Sequence, residues 1–156
     1  MARSSSSRDI SFETDFGSAR IRWDGPRATL FLDGVESSAV DTSDPTYLEF
    51  EYMQHMSAVV AASRGEGDRF RALHVGGAAC ALACAWSARY PQSRHVAVEV
   101  DGALAAQVRE HFPIPKAPQV KIRVGDGRAV LDAAREGAFD VIVRDAFAAG
   151  VTPGHL

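Results

Sequence analysis

Ala72-Leu73-His74-Val75-Gly76-Gly77-Ala78-Ala79 is the stretch on which the reading of the fold turns. A short apolar run that ends in two glycines fits a buried strand breaking into a tight turn. Residues 79–90 follow without Gly or Pro, so a helix is expected directly after the turn. Glycines at a strand-to-helix turn let a ligand approach the backbone, and the helix start offers free N–H donors. Gly76 and Gly77 are therefore candidate cofactor-binding residues, although a tight turn with no ligand uses the same pair.

Working outward, the rhythm of that stretch repeats. Strands are expected at 95–100, 120–124 and 139–143, and helices at 103–112 and 128–135. Leu104, Val108 and Phe112 form one stripe of the first of these helices. Such alternation predicts a Rossmann-like α/β domain, a parallel sheet with helices on both faces. Upstream, Asp44-Pro45 reads as a helix start, with Leu48, Tyr52, Met56, Val59 and Val60 as its apolar face through about residue 63. Before it, apolar runs at 21–23 and 28–32 are separated by Asp24-Gly25-Pro26, and Asp33-Gly34 marks another turn. A hairpin or small meander is expected, packed on the rest of the chain or on a partner. The resulting division is a disordered leader at 1–9, an N-terminal β-strand region at 10–43 and a cofactor-binding domain at 44–156.

Bulk properties narrow the function. A chain of 156 residues, 46% hydrophobic and 24% charged, is an ordinary soluble domain. A net charge of −3 without a Lys/Arg run argues against nucleic acid. The apolar runs are too short to span a membrane, and the first nine residues lack the apolar core of a secretory signal. Cys80 and Cys84, the two cysteines, make a poor metal site by themselves and read as small buried residues, so no metal is expected. A reducing cytoplasm fits them.

The acids fall at the strand tips. Glu99 ends the second expected strand, where a carboxylate can accept from both ribose hydroxyls; Asp101 beside it is placed to cap the following helix. Asp126, between Gly125 and Gly127, either reaches an adenine amino group or caps the helix at Arg128. Asp145 ends the fourth strand. Ligands in open α/β sheets sit outside the carboxyl ends of the strands, so these positions together mark a nucleoside cofactor site. Glu51 and His55, four apart, either line a second-substrate pocket or form a surface pair. His74 is expected to be packed or hydrogen-bonded within its strand. The fourth strand reads as covered on both faces, so a longer protein or a partner is expected to complete the sheet, and a C-terminally truncated fragment is the reading adopted.

Leu32-Asp33-Gly34-Val35, the helix with Glu51 and His55, Val75-Gly76-Gly77, Val98-Glu99-Val100-Asp101, Gly125-Asp126-Gly127 and Phe139-Asp140-Val141-Ile142-Val143-Arg144-Asp145 stand in the order and spacing of spermidine synthases. The chain resembles that family over most of residues 28–150. The resemblance implies an N-terminal β-strand domain on a class I methyltransferase-like fold, here running only to the fourth strand. It implies transfer of an aminopropyl group from decarboxylated S-adenosylmethionine to a polyamine, a small-molecule amine, by a dimer or tetramer, and a homodimer is expected here. By the resemblance, Glu99 holds the ribose, Asp126 with Gly127 holds the adenine, and Asp145 is the catalytic acid that helps deprotonate the attacking amine. The polyamine side of the pattern departs from the family. Ala79 and Ala148 stand where the family has acids, and Glu49-Phe50 replaces a Tyr-Gln pair ahead of Glu51. Three functions follow as expectations. The first is a spermidine synthase-like transferase that binds S-adenosylmethionine or its decarboxylated form, with an unnamed acceptor. The second is an S-adenosylmethionine-dependent methyltransferase, and the third a non-catalytic binding module on the same fold.

Overall fold

The structure, a computed structural model, describes residues 8–147 and 150–156. It opens with four strands, β1 (Arg8–Glu13), β2 (Ser18–Asp24), β3 (Arg27–Leu32) and β4 (Val35–Asp41), in a sequential antiparallel meander. The first strand begins inside the expected leader, since Arg8 and Asp9 pair with Trp23 and Arg22 of β2; residues 1–7 of that leader lie outside the described residues. Then come α1 (Glu51–Ser63), β5 (Arg71–Val75), α2 (Ala81–Arg89), β6 (Arg94–Glu99), α3 (Gly102–His111), β7 (Val120–Val124), α4 (Gly127–Asp132) and β8 (Val141–Arg144). The last four strands form a parallel sheet of order β7-β6-β5-β8, which confirms the expected α/β architecture.

That order creates the crevice. From β5 the chain winds outward through β6 to β7, then crosses back to lay β8 on the other side of β5. The connections diverge between β5 and β8, and such a switch point leaves an opening at the strand tips.

Alternation along β5 assigns the faces. Ala72 packs with Met53, Val60, Leu82 and Trp86 of α1 and α2, whereas Leu73 and Val75 pack with Val98 and Val130 on the side of α4. Helices thus lie on both faces, but α4 is the only helix in the packing of the second face among the described residues. Ile142 of the edge strand β8 is half exposed there. The meander does not stand alone. Ile21, Ala28 and Leu30 bury themselves against Leu104 and Val108 of α3 and Phe112 just past its end, and Trp23 stacks on Phe112 at 6.2 Å between ring centroids. Its β1–β2 turn also caps α3, because Asp15 Oδ2 accepts from Gly102 N at 2.7 Å and Ala103 N at 3.1 Å.

The helix expected from Asp44 forms later. Asp44 Oδ1 accepts from Thr46 N (2.9 Å) and Thr46 Oγ1 (2.7 Å), an Asx-turn in which the side chain serves a turn rather than a helix start. The helix begins at Glu51, and its buried face is Met53 and Val60, with Leu48 and Met56 partly buried against the same cluster. Val59 and Tyr52, expected on the apolar face, are exposed.

Candidate functional site

The strand tips meet through the backbone. Gly76 N donates to Val98 O (3.0 Å), Asp145 N to Val75 O (2.8 Å) and Gly125 N to Glu99 O (2.9 Å). These bonds bring the glycine turn, Glu99, Asp126 and Asp145 to one end of the parallel sheet. Gly76 has φ +87°, and a Cβ there would collide with the carbonyl oxygen of Asp145. The glycine is therefore what lets the β5 tip touch the β8 tip. The turn continues through Ala78 (φ 39°) and Cys80 (φ 58°), both in the left-handed region that non-glycine residues rarely occupy.

Glu99 is tied to this turn. Its Oε2 accepts from Ala78 N at 3.2 Å and its Oε1 from Asp101 N at 3.1 Å. Each carboxylate oxygen keeps a free lone pair, so the group can still accept from a diol. Asp101 takes the capping role, accepting from Leu104 N (2.7 Å) and from Asp15 N (3.1 Å).

Asp126 likewise caps α4, with Oδ1 accepting from Ala129 N at 2.8 Å, while Oδ2 lies 2.7 Å from His155 Nε2. The backbone bond and then the imidazole hold this carboxyl below its usual range. Capping and ligand binding use different lone pairs, so the cap leaves the adenine role open. Gly127 is needed for packing, because a Cβ there would collide with Val75 Cγ1.

Asp145 stands across the switch point from the glycine turn. Tyr52 Oη donates to its Oδ2 at 2.8 Å, and the Tyr52 ring stacks on Phe50 at 5.9 Å. Burial pushes the Asp145 carboxyl up, and the Tyr52 hydrogen bond partly opposes this. Burial first, then the neighbouring carboxylate, raises the Tyr52 phenol, which remains a donor. Replacing Tyr52 by Phe is expected to raise the Asp145 carboxyl further, since burial would act without the donor. A carboxyl carbon titration by NMR reads this directly, and a downward shift would show that Tyr52 does not hold the ionised form.

Glu51 and His55, by contrast, form an exposed pair at 3.8 Å. Among the described residues they make no other ion pair or side-chain hydrogen bond. The α1 residue that reaches the strand tips is Tyr52, which the sequence places only on an apolar stripe. A tyrosine is thus present beside Asp145 even though Glu49-Phe50 replaces the Tyr-Gln pair. Ala79 is fully buried against the meander and α3, and Ala148, the other position lacking an acid, lies outside the described residues. Among the described residues no cluster of three or more metal-ligating side chains occurs, and no helix is long and apolar enough to cross a membrane.

No protein-family model matches the chain, and no curated protein matches it. Solved structures do. A probable spermidine synthase from Corynebacterium glutamicum is 37% identical, with a TM-score of 0.85 over 94% of this chain and 55% of that one. A spermidine synthase in complex with the transition state analogue AdoDATO is 19% identical, with a TM-score of 0.63 over 88% and 46% of the two chains. Human methyltransferase-like protein 13 in complex with SAH is 22% identical, with a TM-score of 0.57 over 64% and 49%. The last two are likenesses of fold. The chain spans about half the length of these solved relatives.

Proposed function

The chain is spermidine synthase-like, on a methyltransferase-like fold, and from that premise we propose that it binds S-adenosylmethionine or its decarboxylated form and serves group transfer to a small-molecule acceptor. The observation that carries this reading is the tie between Glu99 and the glycine turn at Ala78, with Asp145 at the neighbouring strand tip. The residues fit such a cofactor. Glu99 keeps lone pairs for the ribose hydroxyls, Gly76 and Gly77 give backbone access, and Asp126 with Gly127 stands at the next tip for the adenine. The AdoDATO and SAH complexes of the two fold relatives support the same class of ligand. The homodimer and the cytoplasmic location belong to this proposal as well.

When bound, the sulfonium supplies an activated carbon. The chain's own part is positioning and proton transfer. Asp145, raised by burial toward the working range of a base, takes the proton of the attacking atom, and Tyr52 fixes which oxygen faces it. In this reading Tyr52, rather than Glu51 or His55, is the α1 residue beside the acceptor.

One observation favours methyl transfer over polyamine synthesis. Ala79 is an uncharged core residue where spermidine synthases place an acid, which removes attraction for a polycation. A calorimetric panel of S-adenosylmethionine, its decarboxylated form, methylthioadenosine and NAD tests both readings. Tight binding of the decarboxylated form supports aminopropyl transfer, preference for S-adenosylmethionine supports methyl transfer, and binding of none overturns the proposal. Glu99→Ala is expected to weaken binding by roughly ten- to a hundredfold, the worth of a charged hydrogen bond. Wild-type affinity in that variant would remove the ribose assignment.

A further inference from the structure

His74 and His95 are two buried imidazoles for which the transfer reading has no use. His74 Nε2 lies 3.0 Å from His95 Nδ1, and His95 Nε2 lies 2.7 Å from Ser93 Oγ. Ser93 Oγ donates to Tyr90 O at 2.7 Å. A carbonyl only accepts, so the single Ser93 proton is committed to Tyr90. Ser93 Oγ must then accept from His95 Nε2–H. Burial keeps both rings neutral, so His95 Nδ1 carries no proton and accepts from His74 Nε2–H. His74 Nδ1 is left as a bare lone pair. One hydroxyl thus sets the tautomers of two rings.

That lone pair has no protein partner among the described residues. The opening His74 lines is a cavity of about 20 Å³ beneath the glycine turn, shared with Met53, Gly76, Gly77, Val143 and Asp145. This is room for about one water molecule. Cys80, the other titratable group lining it, has its thiol pushed up by burial and stays protonated.

We propose that His74 is a positioning residue that holds one water in this cavity, the water donating one proton to His74 Nδ1 and the other to the Asp145 carboxylate. Asp145 is then anchored from two sides, by Tyr52 and by the water, which fixes how its remaining lone pairs face the acceptor. The proposal rests on the transfer role assigned to Asp145, but its geometry is tested independently of it.

Nitrogen-15 NMR of the histidine rings is expected to show both as neutral Nε2–H tautomers at pH 7. A high-resolution crystal structure is expected to show a water within hydrogen-bond distance of His74 Nδ1 and Asp145. A His74 Nδ1–H tautomer, or a dry cavity, overturns the inference whether or not any cofactor binds. Ser93→Ala keeps the packing but frees His95 to turn its tautomer over, and is expected to give His74 a mixed tautomer signature; an unchanged signature overturns the chain of donors. With an acceptor identified, His74→Leu is expected to lower kcat by roughly ten- to a hundredfold with KM nearly unchanged, and to move the acid limb of the pH profile upward. A profile that does not move, in a folded variant, overturns the positioning role, while failure of the cofactor panel overturns only the transfer reading.

Discussion

Gly76→Ala is expected to destabilise the fold by about 2–5 kcal/mol and to abolish cofactor binding. Two effects combine. The residue sits at φ +87°, where a side chain costs about 1–2 kcal/mol. Its Cβ would also meet backbone atoms that cannot rotate away, the Asp145 carbonyl and Ala146 Cα at 2.9 Å, and forced overpacking costs about 1–3 kcal/mol. Relief requires moving the β5 tip away from β8, which opens the crevice and displaces Asp145. Gly77 provides the control. A Cβ there would lie 3.4 Å from Ala97 Cβ and 3.7 Å from Cys80 Sγ, contacts the surroundings can absorb. Gly77→Ala is therefore expected to keep nearly wild-type stability, so any loss of binding in it reports on the ligand. Urea midpoints measure both, and equal midpoints for the two variants would show that the turn can relax around a methyl group added at Gly76 without cost.

The second large effect is loss of stability in acid. His74 is held at about 3, by burial first and then by His95 beside it, and His95 is held at about 4 by burial, against 6.5 for a free imidazole. Between these values and 6.5 the unfolded chain takes up protons that the folded chain refuses. Stability from these groups is therefore full above about pH 6.5 and falls as pH drops, by up to about 1.4 kcal/mol per pH unit for each ring. Two rings over the roughly one and a half units from pH 6.5 to pH 5 amount to a loss of about 4 kcal/mol, comparable with the whole stability of a marginal domain. Asp145 works in the opposite sense, since its raised carboxyl favours folding as it protonates, but it is one group against two. Urea unfolding at pH 7 and pH 5 is expected to show the difference, and replacing both histidines with apolar residues is expected to flatten it. Equal stability at the two pH values would mean that the pair is charged, or solvated, in the folded protein.

Legibility in the sequence follows the range of the interactions. The strand with Leu73 and Val75, the glycine turn after it and the cap at Asp101 are local features, decided within a few residues, and they stand where expected. The start of α1 departs from expectation for a local reason as well. Asp44 followed by Pro has the composition of a helix cap, but its carboxylate closes a turn on Thr46 instead, and the helix begins only at Glu51. Tyr52 carries no signal, because a tyrosine on a helix face looks the same whether it meets solvent or a carboxylate. His74 is packed and hydrogen-bonded in its strand as expected, but nothing near it in the sequence names its partner.

The residues by themselves therefore determined an alternation of short apolar strands and helices, glycines after the first of those strands, and an acid at or just past each of the next three tips. Periodicity and turn chemistry act over a few residues and can be read without a fold. Only the tertiary structure decided what those tips do together. The order β7-β6-β5-β8 lays Asp145 beside Gly76, brings Tyr52 to it across 93 positions of chain, and joins His74 to His95 across 21. Those neighbours are set by strand pairing and helix packing, in which many distant side chains must agree at once. The Gly76-Gly77 turn thus marked a candidate site, and the arrangement of the sheet around it selected the residues that face one another there.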